Sequence, residues 1–230
     1  MSSRPTAVIT GASRGIGRAI ALRLAPDYHV IAAARSAEEL HSLAREIAEG
    51  GGECTPCVVD VSDEQGVASA LRGVAADVLV NNAGVGVLRP MLELTPTQWR
   101  AMVDVNFNAL YYVTRVLLPG MLDRGRGHIV NIGSISGRSA FVGGACYAAT
   151  KHAVMAFSEC LMLEVRDRGL KVSVVNPGSV ATSFGDNWAG GKPWALRPED
   201  VAASVAHVLA TPPNVLLHRV EVRTLSPKKS

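Results

Sequence analysis

The chain carries little net charge and contains no long run of apolar residues. Its formal charge of +3 comes from scattered arginines and a short basic tail at Lys228 and Lys229, which argues against the concentrated basic surface of a nucleic-acid-binding protein. No apolar run is long enough to span a bilayer, and residues 1–5 lead into a strand pattern instead of the apolar segment of a secretory signal. The sequence therefore predicts a cytoplasmic protein with neither a nucleic-acid nor a membrane partner.

Cysteine is also scarce, with four residues at Cys54, Cys57, Cys146 and Cys160. Such scattered cysteines are typical of reduced thiols in a cytosolic protein and not of a disulfide framework. Cys54 and Cys57 match the C-x-x-C pattern, but no second pair accompanies them, and they lead into a strand where a redox pair would open a helix. We therefore predict inert thiols and no bound metal.

What the chain does contain is a regular alternation of short apolar segments with helical patterns. The apolar segments, which we predict to be strands, are 6–10, 29–34, 54–60, 77–80, 127–132, 171–176 and 216–222. Such alternation is typical of right-handed crossovers and a parallel sheet covered on both faces. With 48% hydrophobic content, the sequence predicts one α/β domain over residues 1–230, a Rossmann-like, doubly wound, mostly parallel sheet of about seven strands with helices on both faces. Ligands are expected at the carboxyl ends of its strands.

Three helices are predicted to begin with capping boxes. In this motif a hydroxyl side chain and a Glu or Gln three residues later satisfy free backbone N–H groups at the helix start. The pairs are Ser36 with Glu39, Ser62 with Gln65, and Thr95 with Gln98. They fix where the helices after the second, third and fourth strands should start.

The first predicted strand runs directly into the glycine-rich segment 10–17, and a helical pattern follows. Gly11 can make a tight turn, Gly15 lets the backbone approach a pyrophosphate, and Gly17 lets the helix pack closely on the strand. The free N–H groups of the helix start would face the phosphates. A strand, a glycine-rich turn and a helix in this order favour dinucleotide binding over an ordinary loop.

Tyr147, Lys151 and Ser134 bring together an acid, a cation and a hydroxyl donor. Tyr147 and Lys151 are four residues apart, so a helix places them on the same face. A charged lysine would lower the phenol pKa from its ordinary value near 10 and make the tyrosine a working acid or base at neutral pH. Taken alone, the pair is better interpreted as a half-buried aromatic beside a solvated lysine.

Taken in order, these motifs resemble those of the short-chain dehydrogenase/reductase family. Its single-domain members carry T-G-x-x-x-G-x-G, N-N-A-G, a Ser, Y-x-x-x-K and P-G. In this chain the corresponding residues are 10–17, 81–84, Ser134, Tyr147 with Lys151, and Pro177 with Gly178. The resemblance covers nearly the whole chain and implies an oxidoreductase that interconverts a carbonyl and an alcohol by hydride transfer.

The resemblance also implies roles for individual side chains. Tyr147 would exchange the proton with the substrate oxygen, Ser134 would polarise that oxygen, and Lys151 would bind the cofactor ribose and lower the pKa of Tyr147. Asn106 would help to hold a water on a proton relay. Two alternatives stay open: Ser136 could be the working hydroxyl in place of Ser134, and Asn106 could be a satisfied core amide.

The family's cofactor positions also have counterparts in this chain. Asp60 and Val61 correspond to the adenine contact, the segment after the fourth strand lies near the ribose, and Val180 and Thr182 correspond to the nicotinamide carboxamide contacts. Val180 could instead be a packing residue. The full predicted cofactor set is Gly11, Ser13, Arg14, Gly15, Ile16, Gly17, Arg35, Asp60, Val61, Asn82, Ala83, Gly84, Tyr147, Lys151, Pro177, Gly178, Val180 and Thr182.

The end of the second strand predicts which dinucleotide is bound. An Asp or Glu there would accept the 2′-hydroxyl of NAD and repel a 2′-phosphate. This chain has alanines at 32–34 followed by Arg35, which can pair with a phosphate together with Arg14 of the glycine loop. We therefore predict NADP(H), with a solvated helix-entry charge as the alternative interpretation of Arg35.

The substrate depends on three loops, 85–91, 137–144 and a lid at 183–197. Their walls are mostly apolar, and the aromatics there either line a pocket or only pack the lid: Phe141, Phe184, Trp188 and Trp194. Glycines in the lid, at Gly185, Gly190 and Gly191, would let it move. The ending 217–223 lacks the glycine-rich final strand and tail of 3-oxoacyl carrier-protein reductases, so a small ketone, diketone or aldehyde is favoured over an acyl thioester.

Two other classes of function are weighed against the reductase. An NADP-binding sensor or scaffold would need the glycine loop but not the four side chains of the predicted reacting site. An extended-family epimerase or dehydratase would need a different glycine spacing and a longer C-terminal region. By analogy with the family we also expect a homodimer or homotetramer, for which the apolar residues 109, 112, 113, 116 and 117 are a candidate face; the same residues could instead pack on the chain's own sheet.

Overall fold

The fold is described from a computed structural model, which covers residues 4–184 and 193–225. Its strands are β1 (Thr6–Thr10), β2 (His29–Ala34), β3 (Glu53–Val58), β4 (Val78–Asn81), β5 (Gly127–Ile132), β6 (Leu170–Pro177) and β7 (Arg219–Val222). Its helices are α1 (Gly15–Leu24), α2 (Ala37–Glu49), α3 (Glu64–Leu71), α4 (Pro96–Val103), α5 (Ala109–Arg124), α6 (Ala145–Val165) and α7 (Pro198–Leu209). A π-helical turn at Asp104–Asn108 joins α4 to α5.

The strands form one seven-stranded sheet in the order β3-β2-β1-β4-β5-β6-β7, and every neighbouring pair is parallel. The predicted Rossmann-like α/β fold is confirmed, and each predicted strand is present. Two boundaries differ by more than one residue: β3 ends at Val58, so Asp60 and Val61 lie just beyond it, and β7 begins only at Arg219. The strand order reverses direction between β1 and β4, where ligands bind in folds of this type.

The central strands β1 and β4 are mostly apolar and buried because both faces of the sheet are covered. Neighbouring residues of one strand enter different cores: Val8 packs with α3, α5 and α6, whereas Ile9 packs with α1, α2 and α7. Leu79 and Val80 divide in the same way. The apolar residues of α5 belong to the first of these cores. Ala109, Val113 and Leu117, which were a candidate subunit face, are buried against the chain's own sheet.

Of the three predicted capping boxes, one is complete, one is half formed and one is absent. Thr95 and Gln98 form a complete capping box at α4, and the Ser36 hydroxyl accepts the Glu39 N–H at α2. The box predicted at Ser62 was wrong. The Ser62 hydroxyl bonds the Asp60 carboxylate at 2.7 Å, and Asp63 caps α3 in its place.

The four cysteines are free thiols, and two of them lie on β3 itself. Burial raises the pKa of Cys54 to about 11 and raises that of Cys57 as well, so neither sulfur is an activated thiolate. In the part of the chain that the structure describes, no three acidic, histidine or cysteine side chains are grouped as metal ligands would be. Within the same residues, no helix has the length and apolar character needed to cross a membrane.

Candidate active site

The glycine loop between β1 and α1 has the shape of a cradle. Gly11 and Gly15 adopt φ values of +65° and +56°, which side chains disfavour. A Cβ on Gly17 would lie 2.2 Å from the Gly11 carbonyl oxygen, so only glycine fits at this crossing of loop and helix. Ser13 and Ile16 are half-buried in the same turn, and Arg14 is the exposed residue that precedes the helix.

Two polar residues fasten this loop to the end of β4. The Thr10 hydroxyl accepts the backbone N–H groups of Asn82 and Ala83 at 3.0 and 3.1 Å. In return the Asn82 amide donates to the carbonyls of Thr10 and Gly11 at 2.9 and 3.2 Å. The Asn82 side chain therefore shapes the loop, and its role is internal to the protein. Thr10 was not among the predicted site residues, although it opens the glycine motif.

Arg35 and Asp60 meet at the carboxyl ends of β2 and β3. Arg35 Nη1 lies 3.9 Å from Asp60 Oδ2, and most of the arginine side chain is exposed. Burial raises the pKa of Asp60, but hydrogen bonds from Ser62 and the charge of Arg35 outweigh it and hold the pKa below its usual range. Asp60 is thus a carboxylate that lies close to the largely exposed Arg35 guanidinium.

Ser134 and Tyr147 meet beyond the end of β5. Ser134 is buried, and its Oγ accepts the Ser136 backbone N–H at 3.1 Å, which leaves the hydroxyl proton to be donated elsewhere. The Ser134 side chain lies close enough to the Tyr147 phenol to affect its pKa. Burial raises the pKa of Tyr147, and the Ser134 hydroxyl partly opposes the rise. Of the two serines considered from sequence, Ser134 faces the phenol and Ser136 supports it through its backbone.

The pKa of Tyr147 is raised in this structure, whereas the sequence predicts that Lys151 would lower it. The Lys151 Nζ lies on the same side of α6, 5.9 Å from the Tyr147 ring centroid, but it donates to the Ile132 carbonyl at 3.0 Å. Burial of the phenol raises its pKa more than the nearby groups lower it. Burial also lowers the pKa of Lys151 to about 8, because the ammonium has lost its water.

Asn106 lies in the π-helical turn and is 3% exposed. Its amide accepts the Val85 N–H at 2.8 Å, and donates to the Val85 carbonyl at 2.9 Å and to the Thr150 hydroxyl at 3.1 Å. The side chain is therefore a satisfied amide that ties the loop after β4 to α6. Its place on a proton relay stays a prediction. Gly84 lies close to both polar side chains, because a Cβ there would contact Asn106 Oδ1 at 3.4 Å and Lys151 Nζ at 3.9 Å.

A small cavity lies between the start of the glycine loop at Thr10 and the side chains of Asn106 and Lys151. Its wall includes Thr10, Asn81, Ala83, Asn106 and Lys151. Ala83, one of the predicted cofactor residues, thus borders the same space as Asn106 and Lys151. Val61, also predicted, is part of the same wall.

The segment after β6 reaches the glycine loop from the other side. Gly178 donates its backbone N–H to the Val222 carbonyl of β7 at 2.8 Å, directly after Pro177 ends β6. The Thr182 methyl lies 3.4 Å from where a Gly15 Cβ would be, so Thr182 borders the cradle. Val180 is 8% exposed and belongs to the α1 side of the core, which fits the packing interpretation of this residue.

Two of the three predicted substrate loops are joined to each other, because the Arg89 N–H donates to the Gly143 carbonyl at 3.0 Å. The third reaches the reacting side chains. The Phe184 ring centroid lies 5.8 Å from that of Tyr147, and a Cβ on Gly86 would lie 2.4 Å from the same Phe184 ring. Phe184 therefore covers the phenol.

The remaining predicted lid residues divide between described and undescribed parts of the chain. Phe141 is 42% exposed and Trp194 is half-buried. Four of the predicted lid residues lie outside the described residues: Gly185, Trp188, Gly190 and Gly191. The basic tail at 228–229 also lies outside them.

A parallel α/β sheet with a glycine cradle at its first crossover, and with a serine, a tyrosine and a lysine gathered at the carboxyl edge, defines the class of Rossmann-fold oxidoreductases. The chain belongs to the short-chain dehydrogenase/reductase family. The sequence model of that family, described as short chain dehydrogenase, matches residues 5–192. The resemblance found in the sequence is thereby confirmed.

Among characterised relatives, the NADP-dependent 3-hydroxy acid dehydrogenase YdfG of Salmonella typhi is 36% identical over 94% of this chain and 93% of its own length. A closed form of serine dehydrogenase complexed with NADP+ is 33% identical, with a TM-score of 0.87 over 94% of each chain. A 3-ketoacyl-ACP reductase from Sinorhizobium meliloti is also 33% identical, with a TM-score of 0.85 over 95% of this chain and 97% of its own. The first two names agree with the cofactor predicted from Arg35.

Proposed function

We propose that the protein is an NADP(H)-dependent oxidoreductase that interconverts an alcohol and a ketone, diketone or aldehyde, with Tyr147 as the general acid/base. The observation that carries this proposal is that the Ser134 hydroxyl and the half-buried Tyr147 phenol lie together at the sheet edge that also holds the glycine cradle. A sensor or scaffold would have no use for a phenol placed beside a serine hydroxyl and a buried lysine. The whole chain, residues 1–230, acts as one catalytic domain.

The residues around the cradle fit a dinucleotide phosphate. Positive-φ glycines and the start of α1 leave backbone N–H groups for a pyrophosphate, and no acidic side chain follows β2. Arg35, held beside Asp60, and the exposed Arg14 would bind the 2′-phosphate. The buried Lys151 would bind the ribose hydroxyls. The nicotinamide would supply or accept the hydride at the substrate carbon.

The chain's own residues handle the proton and the charge on the substrate oxygen. In reduction, negative charge grows on the carbonyl oxygen, and Ser134 and Tyr147 provide hydrogen-bond donors already aimed at one place. Tyr147 then donates its proton to that oxygen, and in oxidation it takes the proton back. The raised pKa of the buried phenol keeps it protonated at neutral pH, which suits the reductive direction. Phe184 excludes water from one side of this site.

The substrate is proposed to be a small carbonyl compound or the corresponding hydroxy compound. Phe184 over the phenol and the apolar loops favour a compact, largely apolar substrate beside Tyr147. The relative acting on 3-hydroxy acids supports this size class. A second candidate, a 3-oxoacyl thioester, is favoured by the ketoacyl reductase neighbour and opposed by the short terminal strand β7 without a glycine-rich tail.

The test is NADPH consumption against a panel of diketones, quinones, aldehydes, ketones and acyl thioesters, together with NADP+ reduction by 3-hydroxy acids. We expect turnover with small carbonyl or hydroxy substrates, preference for NADPH over NADH, and loss of about a hundredfold or more in kcat for Tyr147→Phe. Tyr28→Phe serves as the control, because it removes a phenol oxygen from a half-buried tyrosine before β2, away from the site.

Each other outcome points to a different conclusion. Turnover of acyl thioesters alone would favour the second candidate. Tight NADPH binding without turnover of any compound would favour the sensor, and full activity in Tyr147→Phe would contradict the proposed acid/base. Product formed with no net change in the cofactor's redox state would favour an epimerase.

We further propose a homo-oligomeric protein of the cytoplasm. Large side chains stay exposed on three neighbouring helices, Trp99 on α4, Tyr111 on α5 and Leu163 on α6, and they favour a subunit contact there. The four free thiols favour a reducing compartment. A monomer mass at micromolar concentration would contradict the oligomer.

A further inference from the structure

Asn176 is a polar residue in an otherwise apolar stretch of β6. It is 1% exposed and follows the fully buried Val174 and Val175. Its side-chain oxygen accepts the backbone N–H of Ser134 at 3.2 Å, whereas its Nδ2 is buried without a hydrogen-bond partner among the described residues. A buried donor left unpaired is unfavourable, so an amide is expected here only if its oxygen is needed.

The surroundings of Asn176 fix the direction of its amide. A flipped amide would place Nδ2 against the Ser134 N–H, which is itself a donor. Gly133 makes room for this arrangement: a Cβ there would lie 2.1 Å from Asn176 Oδ1 and 3.0 Å from the Val174 side chain. The glycine before Ser134 and the asparagine on the next strand therefore depend on each other.

We propose that Asn176 is a positioning residue for the acid/base pair, because its amide oxygen anchors the Ser134 backbone and so holds the serine hydroxyl against Tyr147. Ser134 is held at two points, its N–H by Asn176 and its Oγ by the Ser136 N–H. The chain turns sharply here, from β5 into the 3₁₀ turn Ile135–Gly137. Without the first anchor, this turn can move the hydroxyl away from the phenol.

The first test does not need turnover and therefore does not depend on the proposed function. Amide hydrogen exchange is followed by NMR in the protein without added cofactor, for the parent, Asn176→Leu and Asn176→Asp. Leucine removes the acceptor and should greatly speed exchange at the Ser134 amide, whereas aspartate keeps an oxygen acceptor and should preserve its protection. Ser173→Ala, which removes a buried hydroxyl from the same strand, should leave the Ser134 amide protected.

The second test rests on the proposed function and uses a double-mutant cycle with Ser134→Ala. Asn176→Leu should lower kcat by about tenfold or more, because small displacements of a reacting group are costly, and should leave the Kd for NADPH within about twofold. In the Ser134→Ala background the same change should cost nothing further. Asn176→Asp should recover part of kcat, and Ser173→Ala should leave it unchanged.

The outcomes separate the two proposals. Full kcat in a folded Asn176→Leu protein, or an equal further loss in the Ser134→Ala background, would overturn the positioning role. If the leucine variant does not fold, loss of Ser134 protection in Asn176→Asp would overturn it instead. Full turnover in Tyr147→Phe would remove the proposed acid/base, while amide exchange would still decide whether Asn176 anchors Ser134.

Discussion

His128 should make the protein lose stability in mild acid. This residue of β5 is 7% exposed, and its Nε2 hydrogen-bonds the Ser173 hydroxyl at 2.8 Å. Burial, together with the charge of Lys171 opposite it on β6, lowers its pKa from 6.5 to about 4. The folded protein therefore holds His128 neutral at a pH where the unfolded chain binds a proton.

The sign and size of the effect follow from this difference in proton binding. Stability from the neutral histidine is complete above the unfolded pKa of 6.5 and is lost as the pH falls towards about 4. Between about pH 7.5 and pH 5 the loss amounts to about 2 kcal/mol, since each pKa unit corresponds to about 1.4 kcal/mol. Replacing the imidazole with a side chain that does not titrate should abolish this part of the pH dependence.

The assay is urea unfolding of the parent, His128→Gln and His41→Gln at both pH values. His41 is exposed on α2, so His41→Gln should lose as much free energy of unfolding on acidification as the parent. His128→Gln should be less stable at the higher pH but should lose about 2 kcal/mol less than the parent between the two. An equal loss in His128→Gln and the parent would refute the reasoning.

Three further changes test other parts of the molecule. Arg35→Asp should reduce the preference for NADPH over NADH by about tenfold or more in kcat/KM, because it replaces a phosphate-binding cation with a repelling charge; an unchanged preference would contradict the role of Arg35. Gly86→Ala should push Phe184 off the site, since its Cβ would lie 2.4 Å from that ring. It should change KM for the best substrate by about tenfold with no change in the Kd for NADPH; equal changes in both would indicate a general distortion. Thr95→Ala should lower the free energy of unfolding by about 1 kcal/mol through loss of the α4 cap, with kcat unchanged.

The strands and the glycine loop could be predicted because their signals are local. Each strand is a short apolar run, and the glycines at 11, 15 and 17 follow a strand and precede a helix within one stretch of chain. The Ser62 cap failed because a neighbouring carboxylate, Asp60, competes for the same hydroxyl. Whether the serine hydroxyl caps the helix or donates to that carboxylate depends on where β3 ends, and the sequence pattern placed that end two residues too late.

The side chains around the candidate site were predicted better than their interactions. The motif order identified Tyr147 and Lys151, but the bond from Lys151 to Ile132 depends on how deeply α6 packs against β5. Asn176 escaped notice because its partner, Ser134, lies on a neighbouring strand's extension, 42 residues away. An asparagine inside a buried apolar strand was the available signal, and only the register of β5 and β6 shows what it bonds.

The two ends of the lid region are held together by backbone hydrogen bonds. Val180 and Leu196 form a parallel bridge, with hydrogen bonds from Ala181 N to Leu196 O at 2.7 Å and from Leu196 N to Ser179 O at 2.9 Å. Lengthening a loop whose ends are already held together costs only about 0.6 kcal/mol for each doubling of its length. Changes between these anchors that spare Thr182, which borders the cradle, should therefore alter substrate preference without rebuilding the cofactor cradle.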